Sequence, residues 1–128
     1  MIQGRDFLRA FEFLSGMDDE VGARTQTSRA YYAAYLETRT HCENHFEYLR
    51  HGGGREHTDV QRLIASQDSE VADNLAFLRR LRNIADYDLN IRPSTITEQA
   101  AESGKLAKSI IAHLDELASV STNDAYDQ

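Results

Sequence analysis

A single proline, Pro93, interrupts the 128 residues, and there is no tryptophan. So little proline leaves long stretches free to be helical, and abundant Ala, Leu, Glu and Arg favour that outcome. One cysteine, Cys42, excludes an internal disulfide and fits a reducing compartment. No apolar run approaches the roughly 18–20 residues of a membrane span, and no signal-peptide core opens the sequence. The expectation is a cytoplasmic protein with no membrane partner. Positive charge is also short: 14 Lys and Arg stand against 21 Asp and Glu, a formal net charge of −7. That excludes a broad, unspecific nucleic-acid coat, though not a small basic site. Strand alternation, internal repeats and linker-like segments are missing too. The length fits one domain with a core of its own.

What is present is helical periodicity. The spacing predicts a first helix over about residues 3–15, carried by Phe7, Leu8, Phe11 and Leu14 and ended by Gly16. A long second helix is expected over about 20–50, with Val21, Ser28, Tyr31, Tyr32, Tyr35, Cys42, Phe46 and Leu49 on one stripe. The run HGGG at 51–54 should stop it. A third, short helix over about 59–67 has a capping-box pattern in Thr58 and Gln61. The fourth, over about 70–89, has Asp68 or Ser69 as its N-cap. The fifth, over about 96–119, has a second capping-box pattern in Thr95 and Glu98. The implied fold is all-α, an up-and-down bundle of four to five helices over residues 1–121 with a polar, fraying tail at 122–128. The two longest helices are expected to pack antiparallel.

Charged residues interrupt the apolar stripes. On a helical wheel with Leu78 at zero, Arg82 falls at about +40° and Asp86 at about +80°, whereas Arg80 and Tyr87 fall near the opposite side. Arg82 is therefore inside the apolar arc, with Asp86 in reach of an i,i+4 ion pair. An unpaired buried guanidinium is prohibitive, so Arg82 must pair, snorkel or line a wet site. One reading is an ion pair that pins neighbouring helices. The other is an anion site, where a planar fork grips a phosphate. Arg24 and Arg39 intrude among the tyrosines of the second helix in the same way, which points to one shared seam between helices two and four.

Metal and cofactor signals are weak. His41 and His45 are spaced i,i+4 but lack a third ligand, so two solvated histidines are the plainer reading. His51 and His57 flank the glycines and are expected in an exposed loop. His113 borders the stripe of the fifth helix, as a satisfied rim histidine does. HGGGRE lacks the Lys-Ser/Thr and the preceding strand of a phosphate-cradling loop. No metal and no cofactor is expected.

The segments TSRAYYAAYLETR at 27–39 and LRRLRNIADYDL at 78–89, with His57 between them, resemble the HEPN family of small helical bundles. The likeness is to the prokaryotic branch with an SRAYYAA helix and an RxxADY signature, and it covers nearly the whole chain. The resemblance implies a homodimeric bundle with its signature arginines near the two-fold axis. It implies a metal-independent ribonuclease, or a toxin beside a nucleotidyltransferase antitoxin, or a defence-related component, or a non-catalytic module that binds a nucleotide or a partner protein. Carried onto this chain, it assigns catalytic roles to Arg82, Asp86 and Tyr87 and binding roles to Arg80, Asn83, Arg39, Tyr32 and His57. Tyr87 also matches a tyrosine that such antitoxins nucleotidylate.

The chain departs from the family at the catalytic histidine. The family places it after the arginine with four to six residues between them. After Arg82 those places hold Tyr87, Asp88 and Leu89, and the next histidine is His113. Tyrosine, with a reference pKa near ~10, is a poor acid–base substitute. The expected function is therefore RNA or nucleotide binding in a toxin–antitoxin or defence setting, with ribonuclease chemistry lacking its obvious partner. A non-catalytic dimeric module and a purely structural bundle are the alternatives.

Overall fold

The computed structural model describes the backbone of residues 1–126 and the side chains of residues 1–120. A 3₁₀ turn, Gly4–Phe7, leads into α1 (Leu8–Leu14), α2 (Glu20–His45), α3 (Glu56–Ala65), α4 (Ser69–Tyr87) and α5 (Pro93–Tyr126). The all-α bundle anticipated from periodicity is the observed class. The helix α5 runs past the expected end near residue 119, so residues 122–126 of the expected tail are helical, and Asp127 and Gln128 lie outside the described residues.

Helix ends account for most differences from the sequence reading. The long helix α2 stops at His45, before the glycine run, because Glu47 takes a left-handed φ of 54° that a helix cannot continue through. Leu49 consequently lies beyond the helix and is exposed, and so is Leu89 beyond the end of α4. Val21 is exposed on the first turn of α2. The helix α3 begins at Glu56, so Thr58 lies inside it and caps nothing. Likewise α5 begins at Pro93, whose fixed φ and missing N–H suit a first helical position, so Thr95 is no cap either. Asp19 and Asp68 do cap their helices, accepting from Gly22 N at 2.8 Å and Val71 N at 3.1 Å.

The core forms where α2 meets α4 and α5. Ala30, Ala33 and Ala34 on α2 are fully buried, and such small side chains let neighbouring helices approach closely. Tyr31, Leu75, Leu78, Ile110 and Leu114 fill the space between them, with Val60 and Ile64 of α3 closing one side. Phe11 of α1 packs on Gly104 so closely that a Cβ there would sit 2.5 Å from Phe11 Cζ. Arg24 near the start of α2 meets the end of α4, and His41 near its end meets Gln67 just before α4, so these two helices are antiparallel. The two longest helices, α2 and α5, are not. Ala23 packs on Ile96 and Ala100 near their starts, and Arg5 bridges Glu37 and Asp115 towards their far ends. Hence α4 opposes both, and α2 runs parallel to α5. The antiparallel expectation failed because it ignored the intervening α4.

Candidate functional site

The antiparallel register of α2 and α4 brings their irregular polar residues opposite one another. Arg82 lies at the centre, with 16% of its side chain exposed. Its Nε is 3.0 Å from Asp86 Oδ2, one turn later, as the spacing predicts. That contact is an ion pair rather than an aligned hydrogen bond, because the buried Nε has no partner in hydrogen-bonding geometry. Nη2 donates to Tyr32 Oη at 2.8 Å and Nη1 to Asn83 Oδ1 at 3.0 Å. The guanidinium carbon lies 5.3 Å from the Tyr32 ring centroid and 5.8 Å from those of Tyr31 and Tyr87. Those distances allow cation–π attraction to all three rings. Each terminal nitrogen keeps one N–H without a protein acceptor among the described residues.

Around this centre the seam is further organised. Ser28 Oγ lies 3.5 Å from Asp86 Oδ2 and accepts from Arg29 Nη2 at 3.2 Å. Arg29 in turn lies over the Tyr32 ring, 5.2 Å from its centroid. Arg39 sits 5.8 Å from the Tyr35 centroid and pairs with buried Glu56 at 3.3 Å. Arg24 does something different. Its Nη1 reaches the carbonyl oxygens of Asp88 at 2.8 Å, Ala85 at 2.9 Å and Ile84 at 3.2 Å, and its Nη2 pairs with Glu20 at 3.0 Å. It closes the open end of α4 and so fixes where Arg82, Asp86 and Tyr87 stand.

His57 is not an exposed loop residue. It sits in the first turn of α3, half-buried, stacked on Tyr35 with ring centroids 4.1 Å apart. Tyr31 Oη and His57 Nδ1 share a short hydrogen bond. Tyr31 is fully buried, and burial pushes its hydroxyl well above the ordinary tyrosine range, so the phenol stays protonated. Its O–H needs an acceptor and finds only Nδ1, which leaves the ring proton of neutral His57 on Nε2. The Tyr35 hydroxyl is likewise pushed up, to about 12, mainly by burial. The charged groups facing His57 are Glu56 on α3, Arg39 on α2, and Arg79 and Arg82 on α4. Burial first, then those arginines, hold its pKa below the ordinary value of 6.5.

Of the residues singled out in the sequence, Arg82, Asp86, Asn83 and Tyr32 are brought into direct contact. His57 and Arg39 stand on the same tyrosine cluster. Tyr87 is the last helical residue and 72% exposed; although on the far side of the wheel, its ring comes beside the Arg82 guanidinium. Arg80 is exposed and lies over Phe77, away from the seam. Three seam residues escaped the sequence reading: Ser28 as a partner of Asp86, Arg29, and Arg79. The last was findable, since the same wheel puts Arg79 at about +100°, beside Asp86.

His41 is buried rather than solvated, hydrogen-bonded to Gln67 at 2.7 Å and stacked on His45. Among the described residues no group of three or more His, Cys, Asp or Glu could hold a metal ion. Cys42 is fully buried and its thiol is pushed up to about 11 by burial, which makes it inert. His113 accepts a rim position with Nδ1 2.8 Å from Ser109 O. Among the described residues no helix is long and apolar enough to cross a membrane.

A pH dependence follows from the buried rings. His41 and His57 both have folded pKa values below 6.5, chiefly through burial. The unfolded chain therefore takes up protons more readily, and stability falls as pH drops from about 7 through 6.5 and on towards the folded values. Thermal melts should show a lower Tm at pH 5 than at pH 7. His41→Asn should reduce that difference, and an unchanged slope would show that His41 does not contribute to it.

No protein-family model, no curated protein and no solved structure matches this chain, so the geometry and the resemblance of its motifs carry the functional reading.

Proposed function

We propose that the chain is a HEPN-like module of a toxin–antitoxin or defence system, and that its α2–α4 seam binds the phosphate of single-stranded RNA or a nucleotide. One observation carries this reading: the Arg82 guanidinium, held among Tyr31, Tyr32 and Tyr87 with an N–H to spare on each terminal nitrogen. A guanidinium fork suits a phosphate, and the exposed Tyr87 ring beside it suits a stacked base. Arg29, Arg39, Arg79 and Arg82 against Glu56 and Asp86 also make the seam locally basic on an acidic chain.

Binding is proposed ahead of cleavage. No histidine occupies the family's spacing after Arg82, and His57 Nδ1, which would have to act as a base, already accepts from Tyr31. A fluorescence-anisotropy titration with a short labelled oligouridylate tests the reading, alongside incubation with mixed RNA in EDTA. The expected result is binding that weakens steeply with salt and RNA that stays intact. Metal-free cleavage would instead make the protein a ribonuclease. Absence of binding to RNA and to every nucleotide tried would sink the reading.

The alternative, a non-catalytic dimeric module for a partner protein, is favoured by the end of α4. Tyr87 and Leu89 are 72% and 80% exposed there. A second copy of the chain or a nucleotidyltransferase antitoxin would cover them, and the Tyr87 hydroxyl is open to such a partner's modification. Light scattering of the pure protein distinguishes a dimer from a monomer.

A further inference from the structure

We infer that Arg79 is a second anion-binding residue of the seam, gripping phosphate beside Arg82 although it lies outside the RxxADY signature. The inference rests on the seam being a phosphate site. Arg79 lies on the Arg82–Asp86 side of α4, at about +100° on the wheel. It is half-buried, and its Nε is buried without a hydrogen-bond partner. Arg24 has Glu20, Arg39 has Glu56 and Arg82 has Asp86, whereas Arg29 rests on Ser28 Oγ and the Tyr32 ring. Arg79 has no carboxylate partner among the described residues. Its charge also acts on the neighbouring cluster, opposing proton uptake by His57 and favouring ionisation of Tyr31.

A half-buried guanidinium without a carboxylate costs stability in the free protein. A phosphate would supply the missing charge and acceptors. A purely structural arginine would do the reverse, because removing it would lower stability and leave binding alone. The two roles thus predict opposite patterns, and Arg80, outward on the same helix, provides the control.

The test uses Arg79→Gln, Arg80→Gln and Arg82→Gln in the same anisotropy titration with labelled oligouridylate, each with a thermal melt. Arg79→Gln is expected to weaken binding by about tenfold and to lower the salt slope by about one, with Tm unchanged or raised. Arg80→Gln should alter neither. Arg79→Lys should keep the salt slope, because it keeps the charge. If Arg79→Gln binds like the wild type while Arg82→Gln does not, the inference is wrong and the seam reading stands. An Arg79→Gln variant that is unfolded or clearly less stable shows a structural role and also overturns it. Wild-type protein that binds no oligouridylate removes the seam reading and this inference together.

Discussion

Arg82→Gln is expected to weaken binding of single-stranded RNA by about a hundredfold, the loss typical of a partly desolvated, charge-assisted fork. The free N–H groups on Nη1 and Nη2 are the ones that would meet the phosphate, and glutamine replaces two diverging donors with one amide. The rest of the seam should survive the change. Asp86 keeps its contact with Ser28, and its side chain is 28% exposed, so its unpaired charge is partly hydrated. The Tm should therefore fall by only a few degrees, about what ~1 kcal/mol gives a domain of this size. Arg82→Lys sharpens the test. It keeps the charge and most of the salt dependence but cannot reach Asn83 and Tyr32 together with a phosphate, so affinity should still drop by about tenfold. Wild-type affinity in Arg82→Gln would mean that the arginine only pins α2 to α4.

Arg24→Ala should lower stability by about 2–3 kcal/mol, the largest stability effect expected of any surface-connected polar residue here. One guanidinium nitrogen serves three carbonyls at the end of α4, and only 12% of the side chain is exposed. Alanine would leave those carbonyls facing a space that water only partly reaches. A Tm loss of about 10 °C in calorimetry is the expected reading. Hydrogen exchange should quicken at the end of α4 before it does elsewhere. Glu20→Ala removes only the 38%-exposed partner and should cost under about 1 kcal/mol. Equal effects from the two variants would show that the ion pair, not the cap, matters. Because the cap also places Asp86 and Tyr87, Arg24→Ala should weaken RNA binding as well, without Arg24 touching the ligand.

Much of this architecture was legible before any coordinates. The i,i+4 relation of Arg82 and Asp86, the outward Arg80 and the N-cap of α4 all follow from helical geometry, which depends only on residue spacing. The misread features share a different origin. Leu49 and Leu89 continue an apolar pattern past the helix that carries it, and periodicity alone does not reveal where Glu47 or Asp88 leaves helical space. Thr58 and Thr95 fit a capping pattern, but each lies within a helix that starts two or more residues earlier. His57 reads as a loop residue because α3 begins three residues sooner than its apolar run suggests.

What the sequence determined by itself was the local part: five helical segments, an apolar stripe on each, and a guanidinium set into one of them. Those follow from 3.6-residue periodicity and from the cost of burying an unpaired charge. Only the tertiary structure decided which faces meet. The antiparallel register of α2 and α4 set Tyr32 against Arg82, Ser28 against Asp86, and Arg24 against the end of α4. The fold-back of α3 put His57 on Tyr31 and Tyr35. Contacts between residues some 20 to 60 apart depend on helix ends and packing directions, and no pattern within a single helix encodes those.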